Sequence, residues 1–272
     1  MSQCQPSWYV QDQPCPYGTP IPFFDVTVPK DPSAWQIVGV AYGFVPWILC
    51  FMILLAFLIK RGTRELAVGL LPLLVAGIVS LVKFIAKQAR PEGSCLSSCG
   101  MPSAHAATST ALFLYLVLDA AHRVITPSKG ITSFFPSIAS VGETCVALFK
   151  GVLMFPFGSI SQREFSAYLA IWSPILLPVP ISRALLNDHS ASQIMAGCFI
   201  GILACFLWYP AVLALRLKFA SNFGQKFWFI FVHNYDVPEG WSTVSLDDQT
   251  TKDNAAQDAP LVAESTTSEN RV

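Results

Sequence analysis

Apolar residues in this chain fall in long runs bounded by short polar turns, a pattern that fits a lipid environment better than a water-excluded core. Residues 38–59 carry no charge and are long enough to cross a bilayer as a helix. Pro46 lies inside that run, and neighbouring helices can satisfy the backbone groups it frees. A basic turn with Lys60, Arg61 and Arg64 leads to a second run, 66–82, which ends at Lys83. A polar stretch, 83–105, precedes a third run, 106–121, which has Asp119 and Arg123 near its end. Two further runs cover 165–181, with Pro174, Pro178 and Pro180 toward its far end, and 194–215. In the last, Gly197 and Gly201 form a small-xxx-small pair that lets helices approach closely. The pattern predicts an all-α membrane protein, about five transmembrane helices in a bundle.

The remaining segments divide the chain. Residues 1–34 are polar and proline-rich, without the basic start and apolar core of a cleavable signal peptide. Residues 35–235 form the membrane-embedded domain, and residues 236–272 read as an acidic disordered tail. Within the domain, 122–163 holds one apolar patch, 145–157, interrupted by Lys150 and Pro156.

Composition agrees with a membrane protein. Hydrophobic residues make up 53% of the chain and charged residues 12%, about half the charged share of a soluble domain. Mean hydropathy is +0.50. The formal net charge is zero, so nothing points to a nucleic-acid partner. Trp35, Trp208 and Tyr209 sit at the ends of apolar runs, where headgroup anchors belong. No cysteine spacing reads as a zinc site. Cys50, Cys145, Cys198 and Cys205 lie in apolar runs as packing residues, whereas Cys4, Cys15, Cys95 and Cys99 lie in polar segments. Those four form disulfides in an oxidising compartment or remain thiols in a reducing one.

Three blocks place cations and histidines at the ends of spans: Lys83-x6-Arg90-Pro91, Pro102-Ser103-Ala104-His105, and Ser182-Arg183-x5-His189. Singly, each cation is most often a snorkelling headgroup anchor and each histidine a structural one. Together they make a set for phosphoryl transfer, in which fixed cations stabilise charge on the equatorial oxygens. Arginine offers a planar fork for phosphate, Ser103 a hydroxyl donor, and a helix start after Ser103 free backbone N–H groups. Two histidines can divide the roles of nucleophile and acid.

These blocks resemble, in order, the signature of the type 2 phosphatidic acid phosphatase superfamily, which includes the vanadium haloperoxidases. The resemblance runs from Lys83 to Gln193. It implies that Lys83, Arg90, Arg183, Ser103 and the Ala104 N–H bind phosphate. It implies that His189 is the nucleophile and His105 the general acid, with no metal or other cofactor. Ala104 stands where the family usually has Gly, and Gln193 where most members have Asp. Four residues after His189 on a helix, Gln193 shares its face, so its carbonyl can fix the imidazole tautomer without a carboxylate's charge. Asp188 is expected to point elsewhere. Gln at that position, and Gly100-Met101-Pro102-Ser103 before Ala104-His105, are similar to the dolichyl diphosphate phosphatases. The substrate class stays open between a polyprenyl diphosphate and a broader range of lipid phosphates. A non-catalytic lipid-phosphate binder is a further alternative.

For the three blocks to meet, they must share one side of the membrane. Residues 122–163 then begin and end on the far side, so their patch reads as interfacial or re-entrant. The far side gathers Lys60, Arg61, Arg64, Arg123, Lys129, Arg163, Arg216, Lys218 and Lys226. Positive residues favour the cytoplasm, which directs the site to the lumen of the endoplasmic reticulum or the cell exterior and the tail to the cytosol.

Overall fold

In the computed structural model, residues 4, 8, 13–122, 124 and 162–221 are described. Five spans among them are long and apolar enough to cross a membrane, as befits an integral membrane protein. Helix α1 (Ala34–Lys60) starts at a capping box, in which Ser33 and Gln36 satisfy each other's backbone N–H groups. Helices α2 (Thr63–Ala86) and α3 (Ala104–Ala121) follow, then α4 (Gln162–Leu176), α5 (Pro178–Leu185) and α6 (Ala191–Ser221). Pro46 and Pro72 lie inside α1 and α2 without ending them. The run expected over 165–181 is one span, Gln162–Leu185, divided at Leu177 into two helices in succession, because Pro178 and Pro180 bring no N–H to continue the ladder of α4. The interfacial patch expected at 145–157 and the tail at 236–272 lie outside the described residues.

Helix α3 is the centre of the bundle. Of its span 56% is buried, against 22–33% for the other four. Its Leu112, Tyr115 and Leu116 meet Val68, Leu71 and Val75 of α2, Trp172 and Leu176 of α4, and Cys205 of α6 in one apolar core. Gly197 and Gly201 are where α6 touches α3: a Cβ on either would fall within 2.5 Å of the Ser103 or Ala107 carbonyl. The outward faces keep large apolar side chains exposed, among them Phe51, Leu73, Phe84 and Phe206. Such a belt is costly in water and suited to lipid.

The bundle is not the whole fold. The N-terminal segment, read from sequence only as polar, contains an antiparallel hairpin of β1 (Gly18–Ile21) and β2 (Val26–Pro29). Four-residue strands punctuated by Pro20, Pro22 and Pro29 give no alternating pattern to detect. The hairpin is tied to the loop between α2 and α3. Disulfides join Cys4 to Cys99 and Cys15 to Cys95, and the Cys95 N–H donates to Thr27 Oγ1 at 3.1 Å.

Candidate active site

The three sequence blocks meet at one end of the bundle. Lys83 lies in the last turn of α2, after which Lys87 adopts a left-handed conformation and turns the chain into the loop carrying Arg90. Ser103 caps α3, its hydroxyl accepting from the Ala106 N–H at 3.5 Å. Ala104 and His105 begin the helix, so the Ala104 N–H is one of the amides that no helix carbonyl uses. Arg183 sits in the last turn of α5. Asn187, left-handed with φ 53°, then folds Asp188 and His189 back so that both backbone N–H groups donate to the Arg183 carbonyl. Gln193 is in the first turn of α6, and its carbonyl accepts from the Ser103 N–H at 3.0 Å. Arg90, Ser103, His105, Arg183, His189 and Gln193 are all buried.

Arg90 reaches His189 directly, with Nη1 3.0 Å from Nε2. A guanidinium can only donate, so Nε2 accepts and the proton of the neutral ring sits on Nδ1. Nδ1 lies 3.3 Å from Gln193 Oε1. The other end of that amide agrees with the assignment: Gln193 Nε2 donates to the Ala89 carbonyl at 2.8 Å and to Gln88 Oε1 at 3.3 Å. Gln193 thereby holds His189 in the tautomer whose Nε2 lone pair faces the arginines. Burial, then Arg90 and Arg183, push the His189 pKa well below the ordinary histidine value, so the ring is neutral near pH 7.

His105 is fixed from α1. Its Nε2 lies 3.0 Å from the Gly43 carbonyl, which can only accept, so Nε2 carries a proton. Nδ1 is buried and has no hydrogen-bond partner among the described residues. Gly43 permits this approach: a Cβ there would lie 2.7 Å from Val26 and 3.1 Å from Arg183 Nη1.

The two arginines differ in how fully the protein engages them. Arg90 donates from Nε to the Ser98 carbonyl at 3.0 Å, and from Nη1 to the Asp188 carbonyl at 3.1 Å as well as to His189. Its Nη2 donates to both oxygens of Asp25 at 2.8 Å and to Ser98 Oγ at 2.8 Å. Arg183 uses Nη2 on Asp188 Oδ2, at 2.7 Å, and on the Asp25 carbonyl. Its Nε and Nη1 are buried with no hydrogen-bond partner among the described residues. Buried donors of this kind are costly unless an acceptor is supplied.

Two acidic residues lie at this site: Asp25, to which no sequence pattern pointed, and Asp188, considered there only as a partner for His189. Asp188 does point away from the His189 ring, as expected, but toward other members of the site. Its carboxylate takes hydrogen bonds from Arg183, from the Thr27 N–H at 3.1 Å and from Ser94 Oγ at 3.3 Å. Asp25 comes from the hairpin turn, in a left-handed conformation with φ 54° that Asp tolerates better than most residues. Burial alone would raise its carboxyl pKa, but Arg90, Lys83 and His105 outweigh that and hold it far below the usual range. Among the described residues no group of three or more His, Cys, Asp or Glu is placed to hold a metal ion. Comparison of the chain with protein-family models, curated proteins and solved structures finds no match.

Proposed function

We propose that this integral membrane protein is a metal-independent phosphatase acting on a lipid phosphate or diphosphate, a polyprenyl diphosphate of the dolichyl type being the leading substrate class. The observation that carries the reading is Arg183. Two of its nitrogens are buried without an acceptor among the described residues, beside a neutral histidine whose lone pair is oriented by Gln193. A phosphoryl group supplies the oxygens that such a cradle lacks. In the proposed reaction the Nε2 lone pair of His189 forms a bond to phosphorus as the bond to the leaving oxygen breaks. His105, which already holds a proton on Nε2, takes a second at Nδ1 as the substrate anion binds and gives that proton to the leaving oxygen. Water then attacks phosphorus as the P–Nε2 bond breaks and its electron pair returns to His189, the water gives a proton to His105 Nδ1, and phosphate leaves. For the attack Arg90 must turn Nη1 from His189 to an equatorial oxygen, and Lys83, Arg183, Ser103 and the Ala104 N–H hold the equatorial oxygens with it. The resemblance of the three blocks to the type 2 phosphatidic acid phosphatases supports the same roles.

The excess of Lys and Arg at the opposite membrane face supports a site open to the endoplasmic reticulum lumen or the exterior. Pairing of the four cysteines in the polar segments fits that oxidising side.

The test is phosphate release by purified protein in detergent with a chelator present, on a polyprenyl diphosphate, phosphatidic acid and a sugar phosphate. Release from the lipids, greatest from the diphosphate, is expected. Absence of release from every lipid would leave a phosphate-binding protein without turnover, and activity that needs added Mg²⁺ would remove the metal-independent mechanism.

A further inference from the structure

Asp25 stands where an anion site would be expected to have no carboxylate. Its charge is within reach of Lys83 on α2, Arg90 in the following loop, His105 on α3, Arg183 on α5 and His189 before α6. These are the cations and histidines assigned to phosphate. Asp188, the other carboxylate nearby, is taken up by Arg183, Thr27 and Ser94.

The backbone bearing Asp25 is well anchored. Its carbonyl accepts from Arg183 and its N–H donates to the Pro22 carbonyl at 3.2 Å. One residue on, Val26 is fully buried. Two residues on, the Thr27 N–H is bound to Asp188. The Cys15–Cys95 disulfide ties the chain just before β1 to the loop carrying Arg90. A substrate phosphate entering this cradle therefore meets Asp25 in place. It has the Arg183 Nε and Nη1 donors to bond with, while Arg90 Nη2 is engaged by the carboxylate. Two anions held side by side repel unless a proton lies between them, and an ionised carboxylate can only accept.

Building on the phosphate reading above, we infer that Asp25 is a specificity residue whose carboxylate accepts a hydrogen bond from a protonated phosphate oxygen. The site thus takes tetrahedral oxyanions that carry a P–OH group and discriminates against equally charged ones with no proton to donate.

Inorganic phosphate and sulfate make the comparison cleanly, since at about pH 8 both are dianions of similar shape and only phosphate retains a proton. The experiment measures thermal stabilisation of the full-length protein in detergent as each anion is titrated, for wild type and Asp25→Asn. Wild type should bind phosphate about tenfold or more tighter than sulfate, the scale of one hydrogen bond to a charged acceptor. In Asp25→Asn that ratio should collapse toward one, with sulfate binding gained. Parallel weakening of both anions in the variant would overturn the inference and make Asp25 a positioning residue for Arg90. Parallel tightening would make it a competing counter-ion, which also overturns it. Should the variant fail to fold, the wild-type ratio still decides, because equal binding of the two anions sinks the inference. Equal binding with lipid phosphate release intact rejects the inference alone. No binding of either anion, with no release, rejects the phosphate reading as well.

Discussion

Buried charge occurs at both ends of this bundle, and the two ends handle it differently. At the end away from the site, Arg64 of α2 pairs with Asp119 of α3, and both are almost fully enclosed. At the site end, Lys83, Arg90 and Arg183 gather around Asp25 and Asp188, three cations against two carboxylates. A cross-helix ion pair fixes how two helices lie together. A cationic excess with buried donors to spare is a poor way to hold helices and a good way to hold an anion. The difference separates architecture from chemistry without reference to motif.

The largest effect that would break this contrast is in turnover. His189→Ala should reduce phosphate release to background, and His105→Ala should lower it by about 10²–10⁴-fold, the usual worth of a positioned acid or base. Both should remain folded by thermal denaturation in detergent. Near-normal release by His189→Ala would show that the site end is structural too.

Next comes the other end. Asp119→Leu removes one charge partner from the buried Arg64 and should lower stability, whereas Arg64→Met with Asp119→Leu should recover part of the loss. Turnover per folded molecule should be unchanged in the double variant. A double variant that folds but has lost its chemistry would show that the far end reaches the site.

The smallest effect concerns pH. His189 is neutral in the folded protein because its pKa is lowered, mainly by burial and the adjacent arginines. The unfolded chain takes up a proton there near pH 6.5, its unperturbed value. Stability should therefore fall as pH drops through and below that value, and His189→Gln should flatten the fall. Identical pH profiles of melting temperature for the two proteins would mean the ring is not desolvated as described.

The spans and the three blocks were legible in the sequence because each leaves a local signature. A charge-free run of bilayer length is one, and a cation or histidine at fixed spacing beside its end is another. Gln193 was legible for the same reason, lying four residues from His189 on one helix. Asp25 left no signature. It is a lone acid in a proline-rich stretch, 65 residues before its partner Arg90, and only tertiary closure shows it facing cations. Gly43 was hidden differently, since it contributes a carbonyl and an absent Cβ, neither of which has a characteristic spacing. The break at Leu177 lay within a recognised proline cluster, but periodicity alone does not tell a kinked span from two short helices.

The covalent ties of the hairpin set an order of events. Cys4 and Cys15 emerge from the ribosome first, yet their partners Cys99 and Cys95 lie 95 and 80 residues later, beyond two membrane crossings. The N-terminal segment must wait until α1 and α2 are in place and the loop after α2 arrives. Asp25 takes its place on Arg90 only then. Asp25, made early, is thus among the last residues to be set in place, and a chain whose four thiols met a reducing compartment would lack the staples that hold it there.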